Sequence, residues 1–208
     1  MVTTSNLTYA YESDNIFEFP NIALNNDEHL LILGPSGVGK TTLLHLMAGL
    51  LPPLQGMVSI AETELNTLSR RALDKFRGKY IGLIFQQYHF IKALNVLDNL
   101  RLRQRFPNNL EDKQRRHELA ERLGLKDLLN KKVTTLSQGQ QQRLSIALGL
   151  IHKPKVIFAD EPTSNLDDAN CKNVIALLKE EATLCKSNLV IITHDFRIKS
   201  HFKNHVVL

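Results

Sequence analysis

Leu30-Leu31-Ile32-Leu33 runs without interruption into Gly34-Pro35-Ser36-Gly37-Val38-Gly39-Lys40-Thr41-Thr42. Four consecutive aliphatic residues suit a strand buried on both faces, and the stretch from Thr41 to about Ala48 reads as a helix. The turn between them fits G-x-x-x-x-G-K-[ST] in the strand-to-helix context which that pattern requires. Glycines 34, 37 and 39 are expected to adopt positive φ, so that successive N–H groups converge as a nest for phosphate oxygens, with the N-terminal end of the helix behind them. Lys40 would then bring a full charge to β- and γ-phosphates, and the Thr41 hydroxyl could ligate Mg²⁺.

A phosphate nest fits several classes of enzyme, so the remaining sequence has to choose among them. Short apolar runs recur at YIGLIF near 80–85, VIFA at 156–159 and LVIIT at 189–193, alternating with helical periodicity. That alternation predicts an α/β fold with a parallel sheet covered on both faces. Between about 88 and 150 the pattern becomes helix after helix, including LEDKQRRHELAERLGL with its stripe of Leu119, Leu123 and Leu125. This reads as a helical lobe inserted into the α/β core.

VIFADE supplies the second piece of chemistry. Asp160 should emerge at the carboxyl end of a buried strand, where open α/β sheets place their ligands, and can hold Mg²⁺. Glu161 puts a second carboxylate beside the first, which is costly unless a cation or a reaction uses it; activation of a hydrolytic water is such a use. Pro162 biases Glu161 away from right-handed helical geometry. In LSQGQQQR, Ser137 and Gln140 fit a capping box before a helix running to Leu150. The N–H groups there, with Gly139 permitting close approach, also form a second anion site, whose purpose is clear if two copies complete each other's sites.

Together these residues resemble the nucleotide-binding subunit of an ABC transporter over nearly the whole chain. Gly34–Thr42 is similar to the family's Walker A, Val156–Asp160 to Walker B with Glu161 as catalytic glutamate, and Leu136–Gln140 to its signature motif. Gln86 stands at the Q-loop position, Ser164-Asn165-Leu166-Asp167 at the D-loop, and His194 at the switch histidine. Tyr11 is placed like the aromatic that stacks on adenine, although Tyr9 could take that part instead. The resemblance implies an α/β P-loop NTPase core with a mostly parallel sheet and an N-terminal antiparallel β portion, formed by residues 1–87 and 151–208. About 88–150 would form the inserted helical subdomain.

By the same resemblance, two ATP molecules are sandwiched in a head-to-tail homodimer, or in a pseudo-dimer with a related cassette. Lys40 falls on the β/γ-phosphates, Thr41 and Asp160 on Mg²⁺, Gln86 on Mg²⁺ and the attacking water, Glu161 on general-base duty and His194 on the γ-phosphate. Gly34, Pro35, Ser36, Gly37, Val38, Gly39 and Thr42 complete the cradle. Ser137, Gly139 and Gln140 act in trans, and Asp167 communicates between the sites. Two residues depart from the family pattern. Gln138 replaces the usual glycine of the signature, which activity is expected to survive, and Asn165 the more usual alanine of the D-loop, which looks like subfamily variation.

No apolar run approaches the ~18 residues of a membrane helix, and MVTTSNLTYAYESDN lacks the basic start and apolar core of a signal peptide. A cytoplasmic chain, peripheral on the inner face of the membrane and driving separate permease subunits, is therefore expected. Phe90, Ile91, Leu94 and Leu97 could receive the permease, or could pack the lobe. The net charge is +5 with a pI of about 9.2, with cationic clusters at Arg70, Arg71, Lys75, Arg77 and Lys79 and at Arg101, Arg103 and Arg105. These fit a solvated face or attraction to an anionic membrane surface or partner. No nucleic-acid partner is expected, because no recognition module accompanies the charge. Cys171 and Cys185 fall in one predicted helix about 21 Å apart at 1.5 Å rise per residue, too far for a disulfide. ADEPTSNLD and the compact length look similar to lipoprotein-release and macrolide-export cassettes. Import, a non-transport membrane complex and a soluble ATPase remain alternatives, the last disfavoured because Lys40 and Ser137 stand too close in sequence to hold a long coiled coil or zinc module.

Overall fold

The computed structural model describes residues 1–11, 16–106, 111–164 and 166–208. In chain order the elements are β1 (Val2–Ala10), β2 (Ile16–Glu18), β3 (Ile22–Leu24), β4 (His29–Leu33), α1 (Lys40–Met47), β5 (Gln55–Ile60), β6 (Thr63–Glu64), α2 (Arg70–Tyr80), β7 (Ile81–Ile84), α3 (Val96–Arg105), α4 (Lys113–Arg122), α5 (Gln138–Leu150), β8 (Val156–Asp160), α6 (Asp168–Cys185), β9 (Asn188–Thr193) and β10 (Asn204–Val207). The first three strands, β5 and β6 form an antiparallel sheet in which β1 pairs with β2, β3 and β5. A second sheet has the order β10-β4-β9-β8-β7, with every neighbouring pair parallel. The expected α/β class, antiparallel N-terminal portion and helical insertion are all present.

Alternation along the parallel strands divides the interior in two. Leu31 and Leu33, Ile157 and Ala159, and Leu189 and Ile191 pack under α3, α5 and α6, whereas Leu30 and Ile32, Val156 and Phe158, and Val190 and Ile192 pack against α1 and the antiparallel sheet. Burial on both faces is why these strands read as unbroken aliphatic runs. Leu119, Leu123 and Leu125, together with Leu144 and Leu150, belong to the same cluster as Leu31 and Ile157, so segment 88–150 shares its core with the sheet. Glu181 of α6, fully buried, accepts hydrogen bonds from Arg122 Nε at 2.5 Å and Arg115 Nη2 at 3.4 Å. A carboxylate without water is tolerated there because two guanidinium groups of α4 pair with it, which ties the lobe to the core. Both cysteines lie in α6 as free thiols.

Because the second sheet is parallel, the carboxyl ends of β4, β9, β8 and β7 share one edge. The segments that leave that edge carry Gly34–Thr42, His194, Glu161 and Gln86.

Candidate active site

The loop from β4 to α1 owes its path to glycine, though not in the way the sequence suggests. Gly37 and Gly39 take φ of 84° and 102°, the left-handed values expected of them, but Gly34 does not. Gly34 is needed for space: a Cβ there would lie 2.9 Å from Val38 Cγ1 and 3.1 Å from the Leu208 carbonyl oxygen. At Gly39 a Cβ would also press on Phe17 at 3.0 Å, so the loop rests directly on an aromatic wall. Pro35, Ser36 and Gly37 stand exposed at the top of the loop, while Thr42 is buried. Lys40 is 6% exposed, and its Nζ donates to the carbonyls of Gly34 at 2.8 Å and Pro35 at 2.9 Å. The ammonium is thus held in the concave side of the loop, 4.0 Å from Glu161 Oε1.

Asp160 closes β8 at 7% exposure. Its Oδ2 accepts from Thr41 Oγ1 at 3.2 Å, while its Oδ1 is buried with no hydrogen-bond partner among the described residues. Burial raises the Asp160 pKa, the neighbouring Glu161 charge adds to the rise, and the Thr41 hydroxyl opposes it. A carboxylate oxygen left without a partner beside a hydroxyl is the donor chemistry a hard divalent cation takes, so Thr41 and Asp160 fit Mg²⁺.

Glu161 turns away from the strand with φ 48°, a conformation rare outside glycine and found where surrounding contacts enforce it. Those contacts come from β9 and the residue after it. Glu161 N–H donates to the Ile192 carbonyl at 2.9 Å, and Thr193 Oγ1 donates to Glu161 Oε2 at 2.7 Å. Glu161 Oε1 accepts from the His194 backbone N–H at 3.0 Å and from His194 Nδ1 at 2.8 Å. Pro162 disfavours right-handed helix at Glu161, as expected, and the residue takes the left-handed conformation. Gln86 stands exposed beyond β7 and lines a cleft of about 80 Å³ with Glu161, Pro162, Gln138 and Gln142.

Tyr11 follows the end of β1, 61% exposed, with its hydroxyl 2.8 Å from Thr42 Oγ1. Tyr9 meets it edge-on with centroids 4.9 Å apart and packs partly against the antiparallel-sheet core. Of the two tyrosines, Tyr11 keeps an open ring beside the phosphate loop.

The remaining candidates make no direct hydrogen bond to Lys40, Thr41, Asp160 or Glu161 among the described residues. Ser137 caps α5 by accepting from Gln140 N–H at 3.4 Å, while Gln140 Oε1 accepts from Ser137 N–H at 3.0 Å, completing the capping box. Gly139 faces open space, and among the described residues no hydrogen bond joins Ser137, Gly139 or Gln140 to residues 34–42. Asp167 caps α6, accepting from Asn170 N–H at 2.8 Å and Asn170 Nδ2 at 2.9 Å, bonds that hold its carboxyl below the usual range. Asn165 lies outside the described residues.

Sequence reasoning missed Thr193 and Asp195, which hold the Glu161–His194 pair, and Gln142, whose Nε2 donates to the Pro162 carbonyl at 2.5 Å. The signal was present: Thr193-His194-Asp195 ends an aliphatic strand with three polar residues, just as Asp160-Glu161 ends VIFA.

A family model described as ABC transporter matches residues 18–164. Over 204 residues the chain is 33% identical to the lipoprotein-releasing system ATP-binding protein LolD of Wigglesworthia glossinidia brevipalpis, spanning 95% of this chain and 89% of that protein. The dimeric structure of MJ0796, a bacterial ABC transporter cassette, matches with a TM-score of 0.89 and 31% identity over 100% of this chain and 94% of that one. A dimeric post-hydrolysis state of MJ0796 bound to ADP and Pi matches with a TM-score of 0.87 and 32% identity over the same 100% and 94%.

Proposed function

The chain belongs to the ABC transporter family, and from that premise we propose that it is an ATP-binding subunit that hydrolyses MgATP in a head-to-tail dimer to drive separate membrane permease subunits. The observation that carries this reading is the convergence of Lys40, Thr41, Asp160, Glu161 and His194 at one edge of the parallel sheet.

In this reading the N–H groups of Gly34–Thr42, with the positive end of α1, cradle the phosphates, and Lys40 exchanges its two loop carbonyls for β- and γ-phosphate oxygens. Tyr11 stacks on the adenine. Thr41 and Asp160, joined by Gln86, would hold Mg²⁺, whose charge offsets that of the phosphate oxygens. Glu161 takes a proton from the attacking water. Thr193 and His194 occupy one lone pair or more on each of its oxygens, fixing the carboxylate's orientation while leaving acceptor capacity for that proton. His194 serves the γ-phosphate when its ring carries a proton on both nitrogens, one for Glu161 and one for a phosphate oxygen. Ser137, Gly139 and Gln140, which make no hydrogen bond to their own loop among the described residues, serve the nucleotide of a second copy or of a related cassette. Asp167, exposed at the start of α6, communicates between the two sites.

Among the described residues no helix is long and apolar enough to cross a membrane. In this reading the permease is a separate polypeptide, and the chain works in the cytoplasm against the inner face of the membrane. The likeness to LolD supports lipoprotein release as the coupled process. Tagged Glu161→Gln purified with ATP from detergent-solubilised membranes tests the proposal. It should bind ATP, accumulate a closed dimer and lose about 100-fold or more in turnover, while Lys40→Ala should lose nucleotide binding. A co-purifying membrane protein with few spans and a large extracytoplasmic domain supports lipoprotein release. A many-span permease with a binding protein would mean import, and soluble partners alone would reject the transporter role.

A further inference from the structure

Arg197 lies in the first turn of the 3-10 segment Phe196–His201 that follows β9, and the hydrolytic set makes no use of it. Its Nε donates to Asp195 Oδ1 at 2.9 Å and its Nη2 to Asp195 Oδ2 at 2.8 Å, a two-pronged clasp. The same guanidinium reaches across to the segment that enters α6, with Nη1 donating to Asp168 Oδ1 and Nη2 to the Leu166 carbonyl at 3.3 Å. One side chain therefore joins two segments that are distant in sequence.

Asp195 carries the connection inward. Its backbone N–H donates to Thr193 Oγ1 at 3.0 Å, and that hydroxyl donates onward to Glu161 Oε2 at 2.7 Å. Thr163 Oγ1, fully buried, and Cys171 Sγ donate to Asp195 Oδ2 at 3.4 and 3.7 Å, so the carboxylate is fixed from the core side as well. The outer end of this chain is the opposite case. Asp167 and Asp168 are exposed, and Leu166 offers Arg197 a backbone carbonyl, so a shift of residues 166–168 changes what the guanidinium can bind. Bonds that run without a gap from a surface segment to one carboxylate transmit such a shift when the members between are held rigidly.

We propose that Arg197 is a positioning residue that couples the placement of Leu166–Asp168 to the orientation of Glu161, through Asp195 and Thr193. The inference rests on Glu161 being the general base. A lysine could supply the charge but not the fork that engages Asp195, Asp168 and the Leu166 carbonyl together.

Steady-state MgATP hydrolysis by the full chain tests it, comparing wild type with Arg197→Ala, Arg197→Lys, Asp168→Asn, the Arg197→Ala/Asp168→Asn pair and Glu161→Gln. Misorientation of the base should lower kcat of Arg197→Ala about 10- to 100-fold with KM for ATP within about twofold. Arg197→Lys should recover part of the rate. Asp168→Asn should have a smaller effect that disappears in the double variant, because both changes break one connection. Wild-type kcat in Arg197→Ala would overturn the inference, as would a fall in kcat accompanied by a higher KM and a lower melting temperature. Additive losses in the double variant would overturn it too. Near-normal turnover by Glu161→Gln would instead remove the base assignment, whereas an inactive Glu161→Gln beside a fully active Arg197→Ala would sink this inference alone.

Discussion

His152 sits where three segments close on one another. Its Nε2 lies 3.0 Å from the Ile81 carbonyl and 3.0 Å from Arg103 Nη2, and its Nδ1 is buried without a partner among the described residues. Burial, reinforced by the Arg103 charge and opposed by the Ile81 carbonyl, lowers its pKa to about 3. The folded chain therefore keeps the imidazole neutral down to about pH 3, whereas the unfolded chain protonates it near 6.5. Between those values the unfolded state binds more protons, so stability rises with pH across the window and is lost on acidification, by at most about 1.4 kcal/mol per pH unit. Thermal melts of wild type and His152→Gln between about pH 7 and pH 4 check this: the wild-type midpoint should fall more steeply, and parallel curves would assign the acid sensitivity to other groups. Nothing in IHKPK announces such a histidine, because the atoms that bury it come from α3 and β7. Arg197 was equally hidden. Its partners Asp168 and Leu166 are remote in sequence, whereas the phosphate loop was legible because its chemistry is contiguous.

At the scale of elements, α5 serves two environments along its length. Ser137 to Arg143 are exposed or half-buried, while Leu144 to Ala147, Gly149 and Leu150 are buried among β7, α3 and the core. A helix buried on more than one side has no single apolar stripe, so the sequence could predict the helix from its cap but not which surface its second half would meet. Its seat on β7 depends on backbone approach: a Cβ on Gly82 would lie 2.3 Å from the Gly149 carbonyl oxygen. Neither strand nor helix backbone can yield that distance without moving the whole contact. Gly82→Ala should therefore destabilise the fold by about 1–3 kcal/mol, seen as a lower urea midpoint with unchanged slope. A change of only a few tenths would mean that α5 shifts freely on the sheet. Since Ser137 and Gly139 stand at the head of α5 and Gln86 follows β7, the same substitution should, under the proposed roles, disturb the trans and cis contacts together.

For the whole molecule, the two-sided sheet gathers Lys40, Asp160, Glu161 and His194 at one edge and leaves a separate apolar groove of about 700 Å³ beside the helical lobe. Ile91, Leu102 and Phe106 line it at 45%, 43% and 63% exposure, a concentration of large apolar side chains left open to water. The sequence expectation named Phe90, Ile91, Leu94 and Leu97 for this surface or for the core, and the fold divides them. Ile91 and Phe90 line the groove, but Phe90 also packs on the core; Leu94 borders a neighbouring depression, and Leu97 lines neither. The helical turn of α3 brings Leu102 and its neighbour Phe106 to the groove instead, which a residue list drawn from one continuous segment could not show. If the permease docks here, a charge at Ile91 or Leu102 should cost docking without touching the hydrolytic edge. Ile91→Asp and Leu102→Asp should keep ATPase of the isolated subunit within about twofold while lowering permease-stimulated ATPase and co-purification about tenfold or more. Phe90→Asp should behave differently, losing thermal stability as well, because it places a carboxylate against the buried cluster. Loss of isolated ATPase in Ile91→Asp would show that the groove supports the fold; full coupling in both groove variants would move the docking surface elsewhere.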